Sequence, residues 1–142
     1  MKDSSGNFAY HTSVLASLRD MPQFRLFMGN EMMLLSALIM GGCGTICATA
    51  NVAPRLLCSL VEHVRNGQLE AARAEEFDVV DLVNGLMIGG LPVGYKAALG
   101  LMGICQPYVA APYQMLKPEQ EKLLREFLSQ RRLLTGRAPV AV

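Results

Sequence analysis

One lysine stands where a nucleophilic amine would be useful. Lys2 lies in Met1-Lys2-Asp3-Ser4-Ser5-Gly6-Asn7, followed by small polar residues and a turn glycine. A lysine attacks a ketone only as the free amine, and the resulting imine draws electrons from the neighbouring carbon and stabilises an enamine. The ordinary pKa of about 10.4 must fall first, through burial or a nearby positive charge. The other candidates are weaker. His11 and His63 read as polar helix residues rather than ligands. Cys43, Cys47, Cys58 and Cys105 lack CxxC pairing, metal-site spacing and the density of a small disulfide framework. Reduced, mostly buried thiols and no metal are therefore expected. Lys96, beside Tyr95, reads as a structural helix lysine, and the glycines at 41, 42 and 44 match no phosphate loop.

Such residues need a frame. Short apolar strands are expected at 1–2, 24–28 and 44–47. Asn7 caps a helix carrying Phe8, Val14, Leu15 and Leu18, which ends near Pro22. A second helix opens at Gly29 or Asn30 and runs through Met32, Met33, Leu35, Leu38 and Ile39. It is apolar nearly all round, so it should be well covered. Asn51 and Pro54 mark the start of a helix with Leu56, Leu57, Leu60, Val61 and Val64, and Gly67 stops it. The next carries Phe77, Val80, Val83 and Met87, and is broken by Gly89-Gly90-Leu91-Pro92. A short helix over 95–102 and an irregular stretch over 107–112 follow. Pro118 begins a last amphipathic helix with Leu123, Leu124, Phe127, Leu128 and Leu134 on one side, and with Glu121/Arg125 and Lys122/Glu126 spaced as i,i+4 pairs. The order βαβαβ then helices predicts a parallel sheet with right-handed crossovers. In an alternating β/α barrel, catalytic residues lie at the C-terminal ends of strands, where Lys2, Gly29 and Ile46 fall.

The 142 residues suffice for one domain with a real core. Thirteen Lys and Arg against twelve Asp and Glu leave a net charge of +1. No basic stripe with interleaved aromatics is present, so no nucleic-acid partner is expected. The first residues do not form a signal peptide, and a cytoplasmic protein without a cofactor is expected. Residues 32–54 contain no charge and are long enough for a membrane span. Gly41, Gly42 and Gly44 interrupt the run, however, and Asn51 and Pro54 close it. A buried helix feeding a buried parallel strand has this pattern, so no membrane span is expected.

Four segments, in order, carry a resemblance: Lys2-Asp3-Ser4-Ser5-Gly6-Asn7, Met28-Gly29-Asn30-Glu31, the run from Gly41 to Pro54, and Pro92-Val93-Gly94-Tyr95-Lys96. Together they resemble the dihydrodipicolinate synthase / N-acetylneuraminate lyase family, class I aldolases on a (β/α)8 barrel. The resemblance runs from Met1 to about Leu134 and covers roughly half of a typical member. It implies an α/β fold, the C-terminal part of a (β/α)8 TIM barrel: strands six to eight over 1–66, extra C-terminal helices over 67–134, and a flexible tail over 135–142.

The resemblance also assigns roles. Lys2 matches the Schiff-base lysine, and the substrate would be pyruvate or a related 2-oxo acid, paired with an aldehyde. Ile46 matches a position whose backbone carbonyl faces the bound substrate, and Gly29 a glycine on the acceptor side. Asn30 and Glu31 stand where acidic residues are frequent in the family. Its proton-relay tyrosine and its carboxylate-binding hydroxyl pair lie upstream of the lysine motif. Tyr10, Tyr95, Tyr108 and Tyr113 do not replace that tyrosine by motif. The expectation is therefore a fragment of a lyase, inactive alone, with an apolar edge left bare. The alternative is a non-catalytic interaction scaffold derived from the half-barrel. Full-length members are usually homo-oligomers, dimers or tetramers.

Overall fold

In the computed structural model, which describes residues 1–134, the elements follow the predicted order. The tail expected over 135–142 lies outside the described residues. Strand β1 (Lys2–Asp3) precedes helix α1 (Phe8–Leu18), and β2 (Phe27–Met28) leads through a 3-10 turn (Glu31–Met33) into α2 (Leu34–Ile39). A second 3-10 turn (Thr49–Asn51) precedes α3 (Pro54–Arg65), α4 (Leu69–Leu86), α5 (Val93–Leu101) and α6 (Pro118–Gln130). Asn7 and Asn30 do what their side chains suit them for. The first accepts the Tyr10 N–H and the second the Met32 N–H, each satisfying a donor that its helical turn leaves free.

The strands are shorter than expected. β1 and β2 pair in parallel with Lys2 opposite Phe27 and Asp3 opposite Met28. The third expected strand survives as a single parallel bridge between Met28 and Thr45. It is nevertheless well tied: Met28 N–H donates to Gly44 O at 2.9 Å, Ile46 N–H to Met28 O at 3.0 Å, and the Thr45 hydroxyl to Met28 O at 2.8 Å. Gly44 sits at φ +150°, a backbone setting that favours glycine and interrupts a regular strand.

The chain separates into two compact units, Met1–Ala50 with Pro54–Val80, and Asn51–Ala53 with the described residues from Asp81 onward. The first unit buries Leu26, Met28, Leu34, Leu57 and Leu60, with α2 packed on α3. Helix α2 is less covered than its composition suggested. Leu34 and Ala37 are buried, while Ile39 and Met40 are exposed. The second unit packs α5 on α6. Most of α5 is buried, from Val93, Gly94 and Tyr95 to Leu101. Gly94 lets the start of α5 come close to the end of α4, because a Cβ there would run into the Leu86 and Ile88 carbonyl oxygens.

Helix α4 corrects one stripe. Ala72, Glu76, Val79, Val83 and Leu86 are buried, at spacings of 4, 3, 4 and 3 residues that hold one helical face inward. Phe77 is 63% exposed and Met87 46% exposed, off that face. In α6, likewise, Leu124 and Leu128 are buried and Leu123 is exposed. Among the described residues no helix is long and apolar enough to cross a membrane.

Candidate functional site

The three parallel segments end side by side, and their C-terminal ends carry Lys2 and Asp3, Met28 and Gly29, and Thr45 and Ile46. The first two pairs interlock. Gly29 N–H donates to the Asp3 carbonyl at 2.6 Å. A Cβ added at Gly29 would fall 2.6 Å from the Lys2 Cε and 2.7 Å from the Asp3 oxygen, and would collide with the Ser4 hydroxyl. The absence of a side chain at Gly29 is what lets the lysine side chain cross β2. Ile46 lies on the third segment, two strand spacings or roughly 10 Å from the first. Its side chain is 51% exposed, and its N–H is bound to Met28 O.

Lys2 is exposed. These residues therefore do not supply the burial that would favour a neutral amine. The residue after it, by contrast, is buried. The Asp3 carboxylate accepts the Ser5 N–H at 2.8 Å and lies 3.1 Å from Nδ1 of His11. The Ser5 amide, together with the Ser5 and His11 side chains, holds the Asp3 carboxyl below the usual carboxylate range, against the opposing effect of burial. His11 is the one buried residue of α1, 0% exposed, and its ring stacks against Phe8. Reading it as an ordinary polar helix residue missed this. The available signal was position, since His11 shares the apolar face of Phe8, Val14, Leu15 and Leu18.

Glu31 has a structural task. Buried to 7% exposure, its carboxylate accepts the Thr49 N–H at 3.1 Å and the Thr49 hydroxyl in a short bond. That clamps the residues after the third segment onto the turn after β2, and so fixes where Ile46 stands.

Farther along the first unit, Glu76 reaches from α4 to the amides of Leu34 and Leu35 at the start of α2. No side chain of α2's own caps that helix. Burial pushes the Glu76 carboxyl up from 4.5 to about 7, outweighing the two amide bonds, and its Oε2 has no partner among the described residues. Glu75 ties α4 to α3, accepting from Ser59 at 2.6 Å and lying 2.7 Å from His63 Nδ1. With the acid in the middle, that trio lacks the order of a nucleophile–base relay.

The four cysteines are free thiols, but Cys58 is exposed and the other three only half-buried, so the expected burial is partial. Burial pushes the Cys47 thiol up. Among the described residues no group of three or more His, Cys, Asp or Glu side chains could hold a metal ion.

Known proteins match this chain along almost its whole described length. The model of the dihydrodipicolinate synthetase family matches residues 1–131. A 4-hydroxy-tetrahydrodipicolinate synthase of Hyphomonas neptunium is 36% identical over 115 residues, which is 79% of this chain and 38% of that one. The dihydrodipicolinate synthase structure from Bacteroides thetaiotaomicron superposes with a TM-score of 0.85 at 30% identity, covering 91% of this chain and 45% of that one. The N-acetylneuraminate lyase structure from Fusobacterium nucleatum, solved with pyruvate, gives 0.81 at 25% identity, covering 91% and 43%. The chain spans less than half the length of the relatives it matches.

Proposed function

Given that the chain belongs to the dihydrodipicolinate synthetase family, we propose that it is the C-terminal part of a pyruvate-type lyase in which Lys2 forms the Schiff base. On this reading the three parallel segments are strands six to eight of a (β/α)8 barrel, contained in residues 1–66, and residues 67–134 are the helices appended to it. One observation carries the proposal. Lys2 opens the two-residue strand β1, and its side chain crosses Gly29, the residue that follows β2, in a chain that matches the family over 1–131.

The amine attacks the ketone carbon of a 2-oxo acid and loses water, and the imine then stabilises the enamine that adds to, or leaves, an aldehyde carbon. The related lyase of Fusobacterium nucleatum was crystallised with pyruvate, which supports pyruvate as the keto partner here. Gly29 lines the acceptor side, and the Ile46 carbonyl faces the substrate. Glu31 holds the Ile46 segment in place, its Oε1 accepting both the N–H and the hydroxyl of Thr49.

Two requirements of turnover are unmet within these 142 residues. Lys2 stays in water, and no motif supplies the tyrosine relay or the hydroxyls that would bind a carboxylate. The 142-residue polypeptide is therefore inactive in aldol turnover by itself. An assay of pyruvate release from an aldol substrate tests this: the purified chain should match buffer, and release above buffer that is lost in Lys2→Arg would overturn the inactivity.

A further inference from the structure

The Asp3–His11 pair sits one residue from the amine, and none of the roles above uses it. Asp3 is held three ways. Its carbonyl accepts Gly29 N–H at 2.6 Å, one carboxylate oxygen accepts Ser5 N–H at 2.8 Å, and the other meets His11 Nδ1 at 3.1 Å. The first two holds come from β2 and from the turn after β1. The third comes from α1, the helix packed behind that strand end, and it joins two residues eight apart in the chain.

The imidazole is fixed as firmly as its partner. It is 0% exposed and stacks on Phe8 with ring centroids 6.1 Å apart and planes 13° from parallel. Its Nε2 has no hydrogen-bond partner among the described residues. That selects the tautomer. With the proton on Nδ1, the ring donates to the Asp3 carboxylate and leaves only a lone pair unmet. With the proton on Nε2, a buried N–H would have no acceptor and two acceptors would face each other. An apolar residue would fill this place on the Phe8, Val14, Leu15 and Leu18 face without burying a polar ring. What the imidazole adds is a directed donor.

We propose that His11 is a positioning residue for the Lys2 amine: through Nδ1–H it holds the Asp3 carboxylate, locks the end of β1 against α1, and so directs Lys2 across Gly29. The proposal rests on the reading of Lys2 as the imine-forming residue, and its test is chosen to be separable from that reading.

The test compares the 142-residue chain with His11→Leu and His11→Asn. Leucine fills the space without a donor, and the asparagine amide places an N–H where Nδ1 stood. Labelled with carbon-13 and nitrogen-15, each is examined by NMR for the proton–proton contact between the Lys2 ε-methylene and the Gly29 α-protons. Each is also trapped with pyruvate and borohydride. The wild type and His11→Asn should show the contact, while His11→Leu should lose it and trap about tenfold less at Lys2. A folded His11→Leu that keeps both the contact and the trapping yield would reduce His11 to a space filler.

Should His11→Leu not fold, the ring nitrogen shifts of the wild type decide instead. A proton on Nδ1 is required, and a proton on Nε2 overturns the arrangement. A wild-type chain that traps no pyruvate at Lys2 would count against the imine reading alone, because the contact and the tautomer would still decide the role of His11.

Discussion

The two units of this chain are built on different principles. The buried carboxylates, imidazole and threonine hydroxyl of the described residues, in Asp3, His11, Glu31, Thr49 and Glu76, all lie in the first unit. The second buries Leu82, Val83, Leu86, Val93, Ala98, Leu101, Leu124 and Leu128. An apolar unit is stabilised by area removed from water and by close packing, neither of which depends on pH. A unit that buries carboxylates and an imidazole must satisfy each one, and each satisfied group fixes a neighbour: Asp3 the end of β1, Glu31 the segment bearing Ile46, Glu76 the start of α2. Costly polar burial is gathered where strand ends have to be placed, and it is around such ends that this account puts the chemistry.

The contrast can be broken first by cavity formation. Leu128→Ala in α6 removes a side chain that is 0% exposed and should cost about 2–5 kcal/mol, read from urea unfolding, with the loss equal at pH 5 and pH 8. A loss that varies with pH would show that the second unit also leans on a titrating group.

Glu76 provides the opposite case. Its carboxyl is raised in the folded chain, so between pH 4.5 and 7 the folded state holds more protons than the unfolded one. Its contribution is complete below about pH 4.5 and fades as pH rises towards 7. Glu76→Gln keeps an acceptor for the Leu34 and Leu35 amides and should flatten that slope. Asp3 runs the other way. Its carboxyl is lowered, so its contribution is present above 3.8 and declines only as the pH falls through its depressed value. Equal slopes for the wild type and Glu76→Gln in urea titrations across pH 5 to 7 would contradict the assignment.

Two glycines, one in each unit, leave no room for a side chain. A Cβ at Gly29 meets Lys2, Asp3 and Ser4, and one at Gly85 meets the Phe127 ring. Both alanine variants should lose about 1–3 kcal/mol by overpacking. Only Gly29→Ala should also reduce pyruvate trapping at Lys2, so equal trapping by the two would remove Gly29 from the site. The smallest effect is expected from Glu121→Ala, which breaks the surface pair with Arg125 at 3.2 Å and should change stability by under about 0.5 kcal/mol.

What the sequence made legible follows the same division. The order of elements, the Asn7 and Asn30 caps and the Pro118 start were readable, because a capping side chain or a proline acts on its own turn. Periodicity placed the helices but mistook which residues face inward. Hydrophobicity alone points to Phe77, whereas spacing puts the Glu76 carboxylate on the face shared by Ala72 and Val79. His11 lies on its helix as expected, and only its burial departs from the expectation. The third strand shrank to one bridge because pairing depends on Gly44 and on partners far along the chain, which no local pattern records. That Lys2 belongs to the first strand was readable from its motif. Its exposure was not, since burial is a property of everything around a side chain.

Whether the amine of the first unit carries the chemistry is decided by borohydride reduction in the presence of pyruvate. Although Lys2 lies in water, its side chain is held across Gly29, so in the purified 142-residue chain, read by intact mass and peptide mapping, a low-yield adduct should concentrate on Lys2 over Lys96, Lys117 and Lys122, and be absent at that position from Lys2→Arg. No adduct at Lys2 in a folded chain, or label spread evenly over the lysines, would contradict that role.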